Sequence, residues 1–127
     1  MSNEVIYIYY LLISFSTNQL VKIGRKLLGN KFIGVFPLDK LPKYLKNGAY
    51  IINTQSSNLP GEHWLAFVIK QHAIEVFDSF GYYYPTLLVN KLQRLKRNIS
   101  YNRRQYQLHN ETTCGQFCIV WLYNQFY

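Results

Sequence analysis

Cys114 closes the polar run "NETTCG" and opens an almost wholly apolar stretch that continues to about Gln125. Thr112 or Thr113 can cap a helix that starts there. A thiol at a helix N-terminus meets unpaired backbone N–H groups and the positive end of the dipole. Both stabilise negative charge on sulfur, and the thiolate is the nucleophilic form. Cys118 lies one turn further in and reads as a small core residue. Gly115 carries no side chain beside the sulfur, so a substrate backbone can approach. The N–H groups at that point can receive a carbonyl oxygen that becomes negative in a transition state.

A cysteine nucleophile needs a base. His63 opens the apolar run "HWLAFVIK", and Asp78 closes the run "IEVFD" that follows it. If these are two strands joined by a loop of Lys70 to Ala73, Leu65 lies opposite Asp78. His63 is then a diagonal neighbour of Asp78 on the same sheet face, ~7–8 Å away, within reach of a His–Asp bridge. A three-residue loop would separate them. Other readings of these residues stand beside this one. His109 is a rival base close to Cys114 in sequence, His72 suits the hairpin turn, and Asp78-Ser79 is also ordinary turn chemistry. Cys114 and Cys118 with two of the three histidines would make a zinc set. No second ligand pair sits at metal spacing, so no metal is expected.

Elements must hold these groups. Residues 18–28 alternate apolar and basic side chains at helical spacing and stop at Gly29-Asn30. "KFIGVFPLDKLPKYLKNG", with its prolines and glycines, reads as irregular connection. "AYIIN" (49–53) is a short strand. "HWLAFVIK" is apolar on both alternating faces, as a central covered strand must be, and "IEVFD" is its hairpin partner. Leu88, Leu92, Leu95 and Ile99 predict a helix over 87–99. "YNRRQYQL" alternates weakly, as an edge strand does. The stretch after Cys114 is apolar nearly all round and predicts a buried helix. The fold class is α+β, with that helix packed on a small, mostly antiparallel sheet.

The bulk numbers agree with one domain. The chain has 127 residues, 49% apolar and 16% charged, which excludes a disordered composition. Net charge is +8 and uneven: residues 1–90 carry eight basic and five acidic side chains, residues 91–127 six and one. Those six (Lys91, Arg94, Lys96, Arg97, Arg103 and Arg104) form a local positive stretch. It suits phosphate backbones or acidic partners, or else is a solvated helix face. Two cysteines four residues apart do not make a secreted disulfide scaffold, which points to an intracellular, reducing compartment. The apolar run Glu4 to Ser16 is too short to span a bilayer and lacks signal-peptide features. Residues 1–16 are therefore set apart as an extra apolar segment before a domain at 17–127, and no membrane association is expected.

The ordered set "GEHW", "VFDSFG", "Q" and "CGQFC" resembles the adenovirus-type cysteine endopeptidases (adenain) and, more distantly, the SUMO-specific proteases of the same fold. "AYIINTQSSNLPGEHWLAF" resembles the segment leading into adenain's catalytic histidine, and "KFIGVF" after an amphipathic helix resembles its N-terminal layout. Gln107 lies seven residues before Cys114, which is the adenain-like spacing. The resemblance covers roughly Asn18 to Tyr127 and extends to adenain-like proteases of Maverick or Polinton transposons. It implies a papain/adenain-like fold, with Cys114 as nucleophile and His63 as general base, later the general acid. Asp78, where adenain has a glutamate, would orient the imidazole. Gln107 would donate to the oxyanion together with the Cys114 N–H. Trp64 resembles the tryptophan that roofs a glycine-accepting tunnel in SUMO proteases, which implies substrates with small residues before the cut.

The implied reaction is peptide hydrolysis in viral or transposon structural precursors. If viral, the setting would be the host nucleus or the virion. No obligatory cofactor is implied. Adenain uses DNA as a cofactor, so the basic stretch makes DNA a candidate activator. A peptide activator attached through a disulfide is not expected, because there is no spare cysteine. The chain stops thirteen residues after Cys114, short of adenain, which would leave Phe117, Trp121 and Phe126 in need of cover. Three alternatives remain open: an isopeptidase for ubiquitin-like modifiers, an inactive fragment that binds nucleic acid, and an acetyltransferase using the same triad.

Overall fold

The computed structural model describes residues 15–54, 63–79, 81, 84–102 and 114–127. Helix α1 (Thr17–Leu28) starts at a reciprocal cap. Ser16 Oγ accepts from the Gln19 N–H at 3.2 Å, while Gln19 Oε1 accepts from the Ser16 N–H at 2.7 Å. The helix stops at Gly29, whose φ of 58° turns the chain out of helical geometry. Arg25 and Lys26 occupy its last turn, where the dipole favours cations.

Five strands follow: β1 (Phe32–Pro37), β2 (Gly48–Asn53), β3 (Trp64–Ile69), β4 (Ala73–Asp78) and β5 (Asn98–Tyr101). They lie side by side in chain order. β2–β3 and β3–β4 pair antiparallel, whereas the edge pairs β1–β2 and β4–β5 are parallel. The sheet is therefore mixed. Its parallel edges need crossover connections, which residues 38–47 and the segment carrying helix α2 (Thr86–Gln93) provide. Helix α3 runs from Cys114 to Phe126.

Two expectations need correction. "FIGVFP" is a strand and not irregular connection: β1 is stabilised by parallel pairing with β2, a partner sixteen or more residues on that local pattern does not reveal. The helix expected over 87–99 ends at Gln93. Lys96 takes φ 54° and turns the chain into β5, so Ile99 sits in a strand. Leu95 and Ile99 still pack against the core beside Leu88 and Leu92, which is why their spacing imitated a helix.

β3 is buried along its whole length. Alternate residues of the sheet serve two cores. Ala49, Ile51, Trp64, Ala66, Val68 and Phe77 pack with α1 and α3. Tyr50, Ile52, Leu65, Phe67, Ile74 and Val76 pack with α2 on the opposite face. α3 is thus central, as its composition requires. Trp121 stacks on Phe77 (centroids 5.2 Å apart), and Phe117 and Phe126 are partly buried against the same core. The segment 1–14, expected as extra cover, lies outside the described residues. No helix among the described residues is long and apolar enough to cross a membrane.

Candidate active site

The β3–β4 hairpin aligns Leu65 with Asp78 and Ile69 with Ile74. The Lys70 N–H donates to the Ala73 carbonyl at 2.8 Å and closes the turn. This is the four-residue loop on which the His63–Asp78 pairing depends. His63 lies one residue before β3. Its carbonyl accepts from the Thr54 N–H at 3.1 Å, so the β2–β3 ladder holds its backbone. From there His63 Nε2 meets Asp78 Oδ1 at 2.6 Å. The imidazole is 12% exposed and the carboxylate 0%.

Cys114 begins α3 and is 4% exposed. The backbone N–H of Trp64, next to His63, donates to Cys114 Sγ at 3.4 Å. One helical turn on, the Cys118 thiol donates to the Trp64 carbonyl at 3.5 Å. The two cysteines therefore dock one face of α3 onto the first residue of β3. Burial pushes the Cys118 thiol well above its ordinary range, which makes it a poor nucleophile.

At the end of the sheet the imidazole sits between Asp78 and Cys114. Burial by itself would lower the pKa of His63. The hydrogen bond to Asp78 and the interaction with Cys114 together outweigh burial and raise it to about 9. Nε2 is committed to Asp78, so Nδ1 is the ring nitrogen left to exchange a proton with Cys114.

Asp78 is held in turn. Its N–H donates to Asn102 Oδ1 at 2.8 Å, and its carbonyl accepts from Asn102 Nδ2 at 2.7 Å. The Tyr84 hydroxyl donates to the Asn102 carbonyl and reaches Asn102 Oδ1 at 2.6 Å. Burial, then the charge of Asp78, push the Tyr84 hydroxyl upward, so it stays a donor. Asn102 and Tyr84 were not foreseen. The only signal was an asparagine near the start of the weakly alternating run "YNRRQYQL".

Gly115 and Trp64, the expected substrate contacts, both lie against the core. A Cβ on Gly115 would lie 3.2 Å from Leu20 Cδ2 and 3.4 Å from Trp64 Cδ1. The missing side chain thus faces the core, where it lets α3 approach α1 and β3. Trp64 is 8% exposed and belongs to that core.

Gln107, Arg103, Arg104 and the rival base His109 lie outside the described residues. Lys91 is on α2, and Arg94, Lys96 and Arg97 follow it, on the sheet face away from Cys114. Arg97 donates to Asn47 Oδ1 at 2.6 Å and to the Lys70 carbonyl at 2.8 Å, tying the β3–β4 turn to the lead-in of β2. Among the described residues no group of three or more His, Cys, Asp or Glu side chains is placed to hold a metal ion.

The chain matches no family model and no curated protein. Among solved structures it is similar to the ASFV pS273R protease, with a TM-score of 0.57 and 15% identity over 91% of this chain. It spans 57% of that protein's length. A selenomethionine structure of the same protease overlaps 61% of this chain and 34% of its own at 18% identity, with a TM-score of 0.41. The first likeness carries the fold: an α+β, papain/adenain-like cysteine protease fold.

Proposed function

We propose that the chain is a cysteine endopeptidase of the adenovirus-protease type, acting on structural precursor proteins of a virus or transposon. The observation that carries this reading is His63, held by Asp78 at 2.6 Å and interacting with Cys114 at the start of a buried helix. In the first step the Cys114 thiolate attacks the peptide carbonyl carbon and a C–S bond forms. The carbonyl electron pair moves to oxygen, where the Cys114 N–H and the Gln107 amide are proposed to receive it. One such donor is worth ~2.7–4 kcal/mol. The imidazolium of His63 then gives its Nδ1 proton to the leaving amine as the C–N bond breaks, leaving a thioester. Neutral His63 next takes a proton from water, the hydroxide equivalent adds to the thioester, and the C–S bond breaks to release the acid. Asp78 keeps the ring oriented and stabilises its charge throughout.

An isopeptidase acting on ubiquitin-like modifiers would use the same steps. Aspartate as the orienting acid favours it, and cleavage of a SUMO precursor against a capsid-type peptide separates the two. DNA as an activator is proposed to bind through Lys91, Arg94 and Lys96, since Arg97 is engaged elsewhere. Affinity that falls steeply with salt supports this, and affinity indifferent to salt sinks it.

The test of the chemistry is the iodoacetamide rate of the wild type against pH, beside Cys114→Ser and His63→Ala, with the modified site found by mass spectrometry. Fast labelling confined to Cys114, retained in mild acid and slowed without His63, is expected. Slow labelling indifferent to His63 would leave the inactive fragment as the reading.

A further inference from the structure

The β4–β5 ladder ends before it reaches the orienting acid. Its last register pair is Val76–Tyr101, and the Asn102 N–H still donates to the Val76 carbonyl at 3.3 Å. Asp78 lies two residues beyond Val76, where β5 has no further strand residue to offer. There the Asn102 side chain takes over, and its amide accepts from the Asp78 N–H and donates to the Asp78 carbonyl. Only a group with an acceptor and a donor side by side can replace a strand neighbour in this way, and a primary amide is that group. The two bonds also fix which end is oxygen, because the Asp78 N–H must meet an acceptor. Tyr84 holds the same amide through its hydroxyl, and its ring packs on Tyr101 of β5 with centroids 4.5 Å apart.

We infer that Asn102, backed by Tyr84, is a positioning residue for the Cys–His–Asp chemistry: it holds the Asp78 backbone so that Oδ1 meets His63 Nε2. It touches none of the reacting atoms and acts through Asp78. The inference rests on the proposed function, since it assigns the source of precision in that site. Several titratable groups face the His63–Asp78 pair: Cys114 from α3, Tyr84 from the segment before α2, and Cys118 further along α3. None of them replaces the main-chain hold on Asp78.

The experiment is an NMR titration of His63, assigned against His63→Ala, in wild type, Asn102→Ala and Tyr84→Phe. A core variant four residues back along β4, Ile74→Val, with its stability loss measured, serves as control. In wild type the His63 pKa should lie far above that of a free imidazole. Asn102→Ala should lower it by ~1 unit or more, with a parallel slowing of Cys114 alkylation at pH 6. Tyr84→Phe should move it in the same direction by less, and it carries the test if Asn102→Ala does not fold. Ile74→Val should leave it unmoved. Variants that lose stability while His63 titrates as in wild type would overturn the inference and make Asn102 a purely structural tie. A wild-type His63 that titrates near the ordinary value would overturn the proposed function itself, and this inference with it.

Discussion

The backbone N–H of Trp64 donates to the sulfur of Cys114 at 3.4 Å, although fifty positions separate the two residues. Trp64 is also the chain neighbour of His63. The main chain of a single strand end therefore holds the sulfur and the imidazole together. Because the hold on sulfur is made by backbone, it survives changes to the His63 side chain, so site chemistry can be altered without dismantling the site.

His63→Ala should accordingly fold while losing Cys114 reactivity. An unassisted thiol is only a few per cent ionised at neutral pH, so alkylation at pH 7 should slow by roughly 10- to 30-fold. Single-turnover labelling with the site mapped by mass spectrometry checks this, and an unchanged rate would refute it.

Cys118 should label negligibly in the native state, being 0% exposed with its thiol pushed upward by burial. Cys118→Ala should leave the Cys114 labelling rate nearly unchanged, since the Trp64 N–H still holds the Cys114 sulfur. It should also cost about 1 kcal/mol of stability through the lost sulfur packing. A collapse of Cys114 reactivity in a folded Cys118→Ala protein would show that Cys118 does more than pack.

The raised pKa of His63 links stability to pH. A group whose pKa rises from an ordinary value near 6.5 to about 9 on folding stabilises the fold fully below the lower value. That stability is lost as pH climbs through the upper one. The contribution is at most about 3 kcal/mol. Denaturant midpoints should therefore fall between about pH 6.5 and pH 9 in wild type, and this slope should flatten in His63→Ala. A slope of equal size in both proteins would assign it to other groups.

Gly24→Ala should destabilise the fold despite alanine's higher helix propensity, worth up to about 1 kcal/mol. The new Cβ would lie 2.5–2.7 Å from the Phe32 ring, which is itself buried in the core between α1 and the sheet. Overpacking of this kind costs ~1–3 kcal/mol. A net loss of about 1–2 kcal/mol is expected by urea denaturation, and a gain would mean that Phe32 moves aside freely.

What the residues alone determined is local or carried by one strong pattern. The α1 stop at Gly29, the central character of β3 and the buried helix from Cys114 were all readable, whereas the hairpin register was one of two that the residues allowed. Each depends on neighbours within a few residues, or on an apolar run that only a covered element can bury. The α+β class followed from them, while the resemblance to adenain-type proteases singled out Cys114, His63 and Asp78 over rivals such as His109.

Only the tertiary structure decided the rest, because it turned on partners distant in the chain. β1 became a strand through β2, and Ile99 found the same core from a strand that its spacing had promised to a helix. Gly115 came to lie against Leu20 and Trp64. Asn102 acquired its part where β5 ran out and the backbone of Asp78 still had hydrogen bonds to make. Sequence selects side chains by type and spacing, but an unsatisfied backbone group becomes visible only once the strands around it are in place.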